Sequence, residues 1–486
     1  MSRRLTLPGR PQLLTYPDSL GGSIRALGNL LRGPLEGLFS GVHVLPPFPS
    51  SGDRGFAPLT YGEIDPAFGT WADIAELAKD HDLVLDLMIN HISRQSAEFR
   101  DFELHGRESP SADLFITPDK VWASGDPPQE DVARIFLRKP RDPFSTITVA
   151  DTGGKERVWT TFGAEQIDID VNSDAARSLI SAWLELFASH GVRIVRLDAV
   201  GYVIKKAGTT CFMVEPQIYE FLDWIVGVAA SLGLILLPEI HDDYTTHQKL
   251  ASRGYWSYDF VLPALVLHAI ETHSARKLAA HIARSPQRQF TTLDCHDGIP
   301  IQPDMNGILD REEMLALVEL VERQGGNVNR LLSGRNPDGL DAHQLNCTYY
   351  AALRCNDDRY VAARAIQLFA PGVPQVYYVG LLAGENDYDA MRQVGDGRAI
   401  NRHNFTDEEI DSALERPVVQ RILRLIKLRQ RHPAFEGSLE VESAAPGSLQ
   451  LRWKHQDDTC ELTVDLASDA CVVTTRDPTS SDQFFA

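Results

Sequence analysis

Three acidic residues, each at the end of a short apolar segment, have side chains that could act as nucleophile or proton donor. Asp198 lies two residues after Arg196, and Glu239 follows an apolar run. Asp297 is preceded by His296. Because residues i and i+2 of a strand share a face, the side chains of Arg196 and Asp198 are predicted to point the same way. A guanidinium beside a carboxylate lowers the carboxyl pKa, so Asp198 is a candidate nucleophile.

The other two acids suit different tasks. Burial beside an apolar run raises the pKa of a Glu, so Glu239 could hold a proton at neutral pH and act as general acid and base. Asp297 would be a third carboxylate that stabilises positive charge in a transition state. A single acid at a strand end is usually a cap or an ion-pair partner, but three acids accompanied by Arg and His favour an active site.

Eight short, nearly continuous apolar segments alternate with amphipathic helical ones through most of the chain. Such segments are typical of parallel strands that are covered on both faces. With helices such as 175–190 and 216–232 between them, they predict a closed (β/α)₈ TIM barrel of the α/β class. The predicted strands are 12–16, 41–46, 83–91, 192–200, 235–240, 257–260, 290–297 and 373–380.

Two long stretches rich in Pro, Gly, Asp and Arg interrupt the alternation, as insertions on the active-site face of a barrel do. From Leu439 onwards the hydrophobic period approaches two, which indicates a small β domain. The predicted domains are the catalytic barrel at 1–92, 171–298 and 351–433, an inserted domain at 93–170, an inserted subdomain with a lid loop at 299–350, and a C-terminal β domain at 434–486.

Composition excludes several classes of function. With 47 basic and 67 acidic residues among 486, the net charge is −20, which argues against binding to nucleic acid or to an anionic membrane surface. No apolar run is long enough to span a membrane, and no apolar segment follows the first cationic residues as in a secretory signal. The six scattered cysteines fit reduced thiols better than disulfides or a zinc site, so we expect a cytoplasmic protein, as monomer or homodimer.

The sequence around the acids resembles a known enzyme family. The segments DLMINH (86–91), VRLDAVG (195–201), PEIH (238–241) and LDCHDG (293–298) are similar to the four signature blocks of the alpha-amylase clan of retaining glycosidases. RLDAVGY (196–202), AGTTCFM (207–213) and PGVPQVYYVG (371–380) resemble, more specifically, the sucrose phosphorylase family of that clan. The resemblance extends from residue 12 to about residue 431.

This resemblance implies phosphorolysis of an α-glucoside by double displacement. Asp198 would attack the anomeric carbon, Glu239 would protonate the leaving oxygen, and Asp297 would stabilise the transition state. Inorganic phosphate, a co-substrate, would then release α-glucose 1-phosphate from the β-glucosyl-enzyme. The family typically needs no metal and no organic cofactor. The substrate-binding residues that the resemblance implies are Asp53, Phe56, His91, Phe162, Gln166, Arg196, Tyr202, His241, His296 and Arg398.

Both insertions depart from ordinary sucrose phosphorylases at residues that could bind the acceptor. Residues 134–141 hold four cations, among them Arg138 and Lys139. In the second insertion Asp341 is followed by Ala, His343 and Gln344, where the family pattern has Tyr in place of His343. Extra cations suggest a second anionic site, as a phosphorylated acceptor sugar such as fructose 6-phosphate would need. The substitutions resemble those of the sucrose 6′-phosphate phosphorylase branch.

Other interpretations stay open at this point. The cations of residues 134–141 could be solvated charges of a loop, in which case the substrate would be sucrose itself. A carboxylated acceptor such as glycerate, in a glucosylglycerate phosphorylase, is another anion of suitable charge. A hydrolase or transglucosylase of the same clan, or a barrel that has lost catalysis and serves as a binding module, are the remaining alternatives.

Overall fold

A computed structural model describes residues 6–137, 142–329, 340, 342–443, 445–476 and 481–486. The strands are β1 Gln12–Thr15, β2 Gly41–Val44, β3 Asp82–Met88, β4 His91–Ser93, β5 Phe144–Thr148, β6 Lys155–Trp159, β7 Gln166–Asp168, β8 Ile194–Asp198, β9 Ile235–Pro238, β10 Ser257–Asp259, β11 Gln289–Thr291, β12 Ile299–Pro300, β13 Asn327–Asn329, β14 Gln344–Asn346, β15 Val373–Tyr377, β16 Ser438–Glu442, β17 Ser448–His455, β18 Asp458–Asp465, β19 Ala470–Arg476 and β20 Ser481–Phe485. The α-helices are α1 Ile24–Arg32, α2 Trp71–Leu77, α3 Ala97–His105, α4 Pro118–Val121, α5 Gln129–Arg134, α6 Asp174–Ser189, α7 Gln217–Ser231, α8 Tyr244–Ser252, α9 Leu262–Thr272, α10 Arg276–Arg284, α11 Arg311–Arg323, α12 Tyr349–Ala352, α13 Asp357–Phe369, α14 Tyr378–Leu381, α15 Tyr388–Val394, α16 Asp407–Glu415 and α17 Pro417–Arg431.

The described chain divides into two compact units, and the first contains Val44–Ile240. In this unit β3, β8 and β9 pair side by side in parallel, and Arg196 of β8 lies opposite Asp86 of β3. The pairs β4–β7 and β5–β6 are antiparallel. Asp198 is the last residue of β8 and Glu239 is the first residue after β9, so both acids lie at the carboxyl ends of neighbouring strands.

The second unit contains Thr6–His43 and the described parts of His241–Ala486. Its parallel strands β10, β11, β15 and β1 are paired in that order. The short strands β12, β14 and β13 form an antiparallel sheet, and β16 to β20 form a five-stranded antiparallel sheet. In β17 the residues Leu449, Leu451 and Trp453 are buried and alternate with partly exposed ones, so the period of two that the sequence shows there reflects one covered face.

The parallel strands form a near-closed, TIM-like barrel of eight strands, paired in the order β10, β11, β15, β1, β2, β3, β8 and β9. The predicted fold class and the predicted C-terminal sheet are thus confirmed. Each barrel strand lies within, or overlaps, a predicted segment, but several end earlier: the segment predicted at 290–297 is a strand only over Gln289–Thr291. The apolar run continues past the strand because the following loop is also buried. The four predicted domains divide the chain differently from the two compact units, and their bounds stay a prediction.

Helices α6 and α17 begin or end at residues that are typical of helix boundaries. Ser173 caps α6, because its side chain accepts a hydrogen bond from the backbone N–H of Ala176. Helix α17 begins at Pro417, whose fixed φ suits a first helical turn, and ends at Arg431 before Pro433.

Candidate active site

One guanidinium contacts three carboxylates, one inside β3 and one each at the carboxyl ends of β8 and β9. Arg196 Nη1 is bonded to Asp86 and lies 3.1 Å from Asp198 Oδ1, and Arg196 Nη2 lies 2.7 Å from Glu239 Oε1. The Arg196 side chain is only 4% exposed, while those of Asp198 and Glu239 are 13% and 7% exposed. We call Arg196, Asp86, Asp198 and Glu239 the Arg196 cluster.

The Arg196 cluster brings the predicted nucleophile and the predicted acid/base together. Asp198 and Glu239 contact different nitrogens of the same side chain, so the two carboxylates are fixed near each other. The second oxygen of Glu239 accepts a hydrogen bond of 3.3 Å from the backbone N–H of Ala199. The pairing of Arg196 with Glu239 is a contact that the sequence did not indicate.

His91 lies in a polar contact network of the first unit. Its Nε2 donates to the carbonyl oxygen of Phe56 at 2.9 Å, and Gln166 Nε2 donates to the same oxygen at 3.1 Å. The ring of Phe162 lies edge-on to His91, with the centroids 5.4 Å apart. Burial lowers the pKa of His91 despite the nearby Asp168 carboxylate, so the imidazole is neutral at neutral pH. Asp53, in the 3₁₀ turn Asp53–Gly55, is another negative charge that acts on this ring.

Tyr202 stands in an aromatic group that also anchors the first insertion. The rings of Phe136, Phe162 and Phe212 surround it at centroid distances of 6.1, 5.0 and 4.8 Å. Phe136 donates its backbone N–H to the carbonyl oxygen of Thr210 at 2.8 Å. The segment that leads to the predicted acceptor cations is therefore attached to the loop after β8. Arg138, Lys139 and Asp341 themselves lie outside the described residues.

Lys205, which was not among the predicted site residues, is a buried cation next to the network around His91. Lys205 Nζ lies 2.7 Å from Asp168 Oδ2, and both side chains are nearly inaccessible. It also donates to Asn90 Oδ1, Thr161 Oγ1 and the carbonyl oxygen of Tyr202 at 3.2, 3.1 and 2.6 Å. One ammonium group thus links β7 to the loops that follow β3 and β8.

Asp297, the third predicted acid, lies in the second unit among cationic groups. Arg398 Nη1 is 3.2 Å and Arg402 Nη2 is 3.6 Å from its Oδ1, and His296 Nε2 is 3.9 Å from its Oδ2. Burial alone would raise the pKa of Asp297, but His296 and the two arginines hold it well below its usual value. Asn401 Nδ2 fixes the backbone by donating to the Asp297 carbonyl oxygen at 3.1 Å. The carboxylate is therefore ionised.

His241 and His343 are also brought together in the second unit. Their rings stand at 77° to each other with centroids 5.7 Å apart, and His241 stacks on Phe260 at 4.0 Å. His241 Nδ1 lies 3.0 Å from Asp304 Oδ2, and His247 Nε2 lies 3.8 Å from Asp304 Oδ1. We call His241, His247, His343 and Asp304 the His241 cluster.

Gln344, the residue after His343, begins β14 and is buried. Its side-chain Nε2 has no hydrogen-bond partner among the described residues, so this amide could donate to a ligand.

Metal and membrane features are absent from the part of the chain that the structure describes. No three His, Cys, Asp or Glu side chains of these residues are arranged to hold a metal ion. None of their helices has the length and apolar character needed to cross a bilayer. All six cysteines are free thiols. Cys295 Sγ accepts a hydrogen bond of 3.4 Å from the backbone N–H of Asp297.

Comparison with known proteins gives consistent matches. A family model described as the alpha amylase catalytic domain matches residues 38–264. The sucrose 6(F)-phosphate phosphorylase of Thermoanaerobacterium thermosaccharolyticum is 50% identical over 468 residues, which cover 95% of this chain and 96% of the relative. The glucosylglycerol phosphorylase of Marinobacter adhaerens is 42% identical over 474 residues, covering 97% and 98%. A crystal structure of sucrose 6F-phosphate phosphorylase from Thermoanaerobacter thermosaccharolyticum matches with a TM-score of 0.97 and 48% identity, covering 99% of each chain.

These relatives extend over nearly the whole chain, so the similarity includes the barrel, both insertions and the C-terminal sheet. The relatives named above are enzymes that cleave glucosides with phosphate, and the signature segments around Asp198, Glu239 and Asp297 lie within the matched ranges. The chain therefore belongs to the glycoside phosphorylases of the alpha-amylase clan.

Proposed function

We propose that this protein catalyses the reversible phosphorolysis of sucrose 6′-phosphate to α-glucose 1-phosphate and fructose 6-phosphate. The single observation that carries the proposal is the 50% identity, over almost the entire chain, to a sucrose 6(F)-phosphate phosphorylase. The replacement of the family's Tyr by His343, next to a second histidine, supports a site for an anionic acceptor.

We propose a double displacement in which the Arg196 cluster acts on the glucosyl group. A carboxylate oxygen of Asp198 attacks the anomeric carbon, the bond from this carbon to the leaving oxygen breaks, and Glu239 gives its proton to that oxygen. An oxygen of inorganic phosphate then attacks the anomeric carbon, the bond from this carbon to the Asp198 oxygen breaks, and Glu239 accepts the proton that the phosphate oxygen loses. Two inversions give net retention, and the attachment of both carboxylates to Arg196 supports the short separation that a retaining mechanism needs.

We propose that Asp297 also acts on the glucosyl ring, as the resemblance of its segment to a signature block of the alpha-amylase clan implies. Its cationic neighbours keep it ionised, which suits the stabilisation of positive charge at the anomeric carbon. Asp53, Phe56, His91, His296 and Arg398 would bind the glucosyl group.

Phe162, Gln166, Tyr202 and His241 would bind towards the acceptor. We assign the binding of phosphate and of the acceptor to Arg138, Lys139, Asp341, His343 and Gln344. We further propose that inorganic phosphate is the only co-reactant, without a metal or organic cofactor. The free thiols and the phosphorylated substrate support a cytoplasmic location, and the protein would act as a monomer or homodimer.

The acceptor is tested in the reverse direction by measuring phosphate release from glucose 1-phosphate with fructose 6-phosphate, fructose, glycerate or glycerol. We expect the highest kcat/KM with fructose 6-phosphate. A preference for glycerol would instead favour the second candidate, phosphorolysis of glucosylglycerol, which the relative at 42% identity supports. Release of glucose at the same rate without phosphate or acceptor would indicate a hydrolase.

A further inference from the structure

Residues 302–304 hold the two buried histidines of the proposed acceptor site. His343 Nδ1 donates to the carbonyl oxygen of Gln302 at 2.7 Å, and His241 Nδ1 lies 3.0 Å from Asp304 Oδ2. Both rings are almost fully buried, and their planes are nearly perpendicular. A stretch of three residues that ends with Asp304, 63 positions after His241, therefore contacts both imidazoles.

Asp304 is ionised although no part of its side chain is exposed. Burial alone would raise the pKa of Asp304, but His241 and, at a longer distance, His247 lower it to about 2. A buried carboxylate needs a positive partner, because an uncompensated charge in the interior is costly. The hydrogen bond at Nδ1 makes His241 the nearer partner of this carboxylate, and His247 is the more distant one.

Three further groups of the described chain act on His241 or on its carboxylate partner. Asp297 also acts on the ring as a negative charge, which adds to that of Asp304. His343 Nδ1 donates to a carbonyl oxygen, and a neutral imidazole can make this hydrogen bond. The contact therefore does not require a positive charge on His343. His247 competes for Asp304, but its Nε2 is farther away at 3.8 Å.

We propose that Asp304 is a positioning residue that orients His241 and keeps it positively charged, so that Nε2–H binds an oxygen of an anionic acceptor. The proposal rests on the proposed function, which assigns His241 to the acceptor side. Asp304 acts only through His241 and does not touch the substrate. The anions served in this way are inorganic phosphate and the phosphate of a phosphorylated sugar. A neutral acceptor gains little from the charge.

The variant Asp304→Asn tests the proposal because its amide oxygen can still accept from Nδ1 while the charge is lost. With glucose 1-phosphate as donor, we expect the kcat/KM for fructose 6-phosphate to fall roughly tenfold, mainly through KM, and that for fructose to stay within about twofold. The matched control is Asp387→Asn, which removes the charge of another carboxylate bonded to an imidazole, that of His403, and retains an N-cap side chain. An equal loss with both acceptors, or no loss, would overturn the proposal.

A double-mutant cycle asks whether Asp304 acts through His241. If it does, Asp304→Asn causes no further loss of the preference for the anionic acceptor in a His241→Gln background. Additive losses would contradict the positioning role. Histidine NMR of the wild-type protein, assigned with His241→Gln, gives a test that does not depend on folding of the Asp304 variant. We expect an imidazolium signal for His241 at pH 7, and a neutral ring would overturn the proposal.

Failure of the proposed function has a different signature. A wild-type enzyme that does not use fructose 6-phosphate at all would refute the acceptor assignment and leave inorganic phosphate as the anion to test. Exchange of labelled phosphate into glucose 1-phosphate is a reaction of any glycoside phosphorylase with a glucosyl-enzyme. We then expect Asp304→Asn to raise the KM for phosphate roughly tenfold and to leave the hydrolysis of glucose 1-phosphate unchanged. An unchanged KM would overturn the role of Asp304.

Discussion

The Arg196 cluster and the His241 cluster have opposite charge arrangements. In the Arg196 cluster one cation is shared by three carboxylates, whereas in the His241 cluster one carboxylate is shared by two imidazoles with a third ring beside them. An excess of carboxylates suits a glucosyl group that becomes positively charged in the transition state. An excess of imidazoles suits an acceptor that carries negative charge. We propose that the Arg196 cluster serves the glucosyl group and that the His241 cluster serves the anionic acceptor.

The two clusters also differ in how their charge can change. Arg196 is a permanent cation, and its bonds to the carboxylates fix the geometry at any pH near neutrality. The charge of the His241 cluster depends on protonation of histidines and therefore on the carboxylate that faces them. Substitutions in the first cluster should thus affect all substrates, and substitutions in the second should change the relative use of acceptors.

The largest effect is expected for Asp198→Asn in the Arg196 cluster. Loss of the nucleophile should lower kcat by a factor of about 10⁴ or more with every acceptor, because no glucosyl-enzyme forms. Formation of glucose 1-phosphate is measured at saturating substrate, with circular dichroism to confirm folding. Activity within tenfold of wild type would remove Asp198 as the nucleophile.

The variant Glu239→Gln should have a smaller effect that depends on the leaving group. Without a proton donor, phosphorolysis of natural glucosides should slow by about 10²–10⁴-fold, whereas cleavage of α-glucosyl fluoride should slow much less, since fluoride leaves without protonation. The ratio of the two kcat/KM values is the readout. Equal losses for both substrates would argue against the acid role.

The pH dependence of stability should distinguish the His241 cluster from a neutral hydrogen-bond network. The pKa of Asp304 is about 2 in the folded chain and near 3.8 ordinarily, so its ionised form favours folding above pH 4, and this contribution is lost as the pH falls towards 2. Asp304→Asn should lower the free energy of unfolding by about 2 kcal/mol at pH 6. Urea unfolding at pH 6, 4 and 3 should show the difference shrinking; a constant difference would contradict this sign.

The smallest effect is expected for His343→Tyr, which restores the residue of ordinary family members. The kcat/KM ratio of fructose 6-phosphate to fructose should fall roughly tenfold, and further when Arg138→Ala is added, because both changes remove a group proposed to bind phosphate. The turnover of glucose 1-phosphate with inorganic phosphate provides the comparison. An unchanged ratio would show that the acceptor site lies elsewhere.

The sequence predicts the barrel well because parallel strands are nearly continuous apolar runs, and all eight were recognisable in this way. It predicts their ends less well. The apolar character of 83–91 continues past β3, which ends at Met88, since His91 belongs to β4 and pairs with β7. A run of buried residues does not reveal where backbone pairing stops.

The acids at strand ends were likewise predictable, and so was the contact of Arg196 with Asp198, but most of the other partners were not. Asp86 is a charged residue inside an apolar strand, and this signal alone called for a cation. Lys205 and Asp304 carry no such local signal: Asp304 binds a histidine 63 positions away. Contacts over that distance depend on how the loops fold, which neither period nor composition encodes.

Trapping the covalent intermediate tests the central claim most directly. Glu239→Gln, mixed with α-glucosyl fluoride and digested for mass spectrometry, should carry one glucosyl unit on the peptide that contains Asp198. Added phosphate should discharge it as α-glucose 1-phosphate. No adduct, an adduct on another residue, or release of the β-anomer would contradict the double displacement.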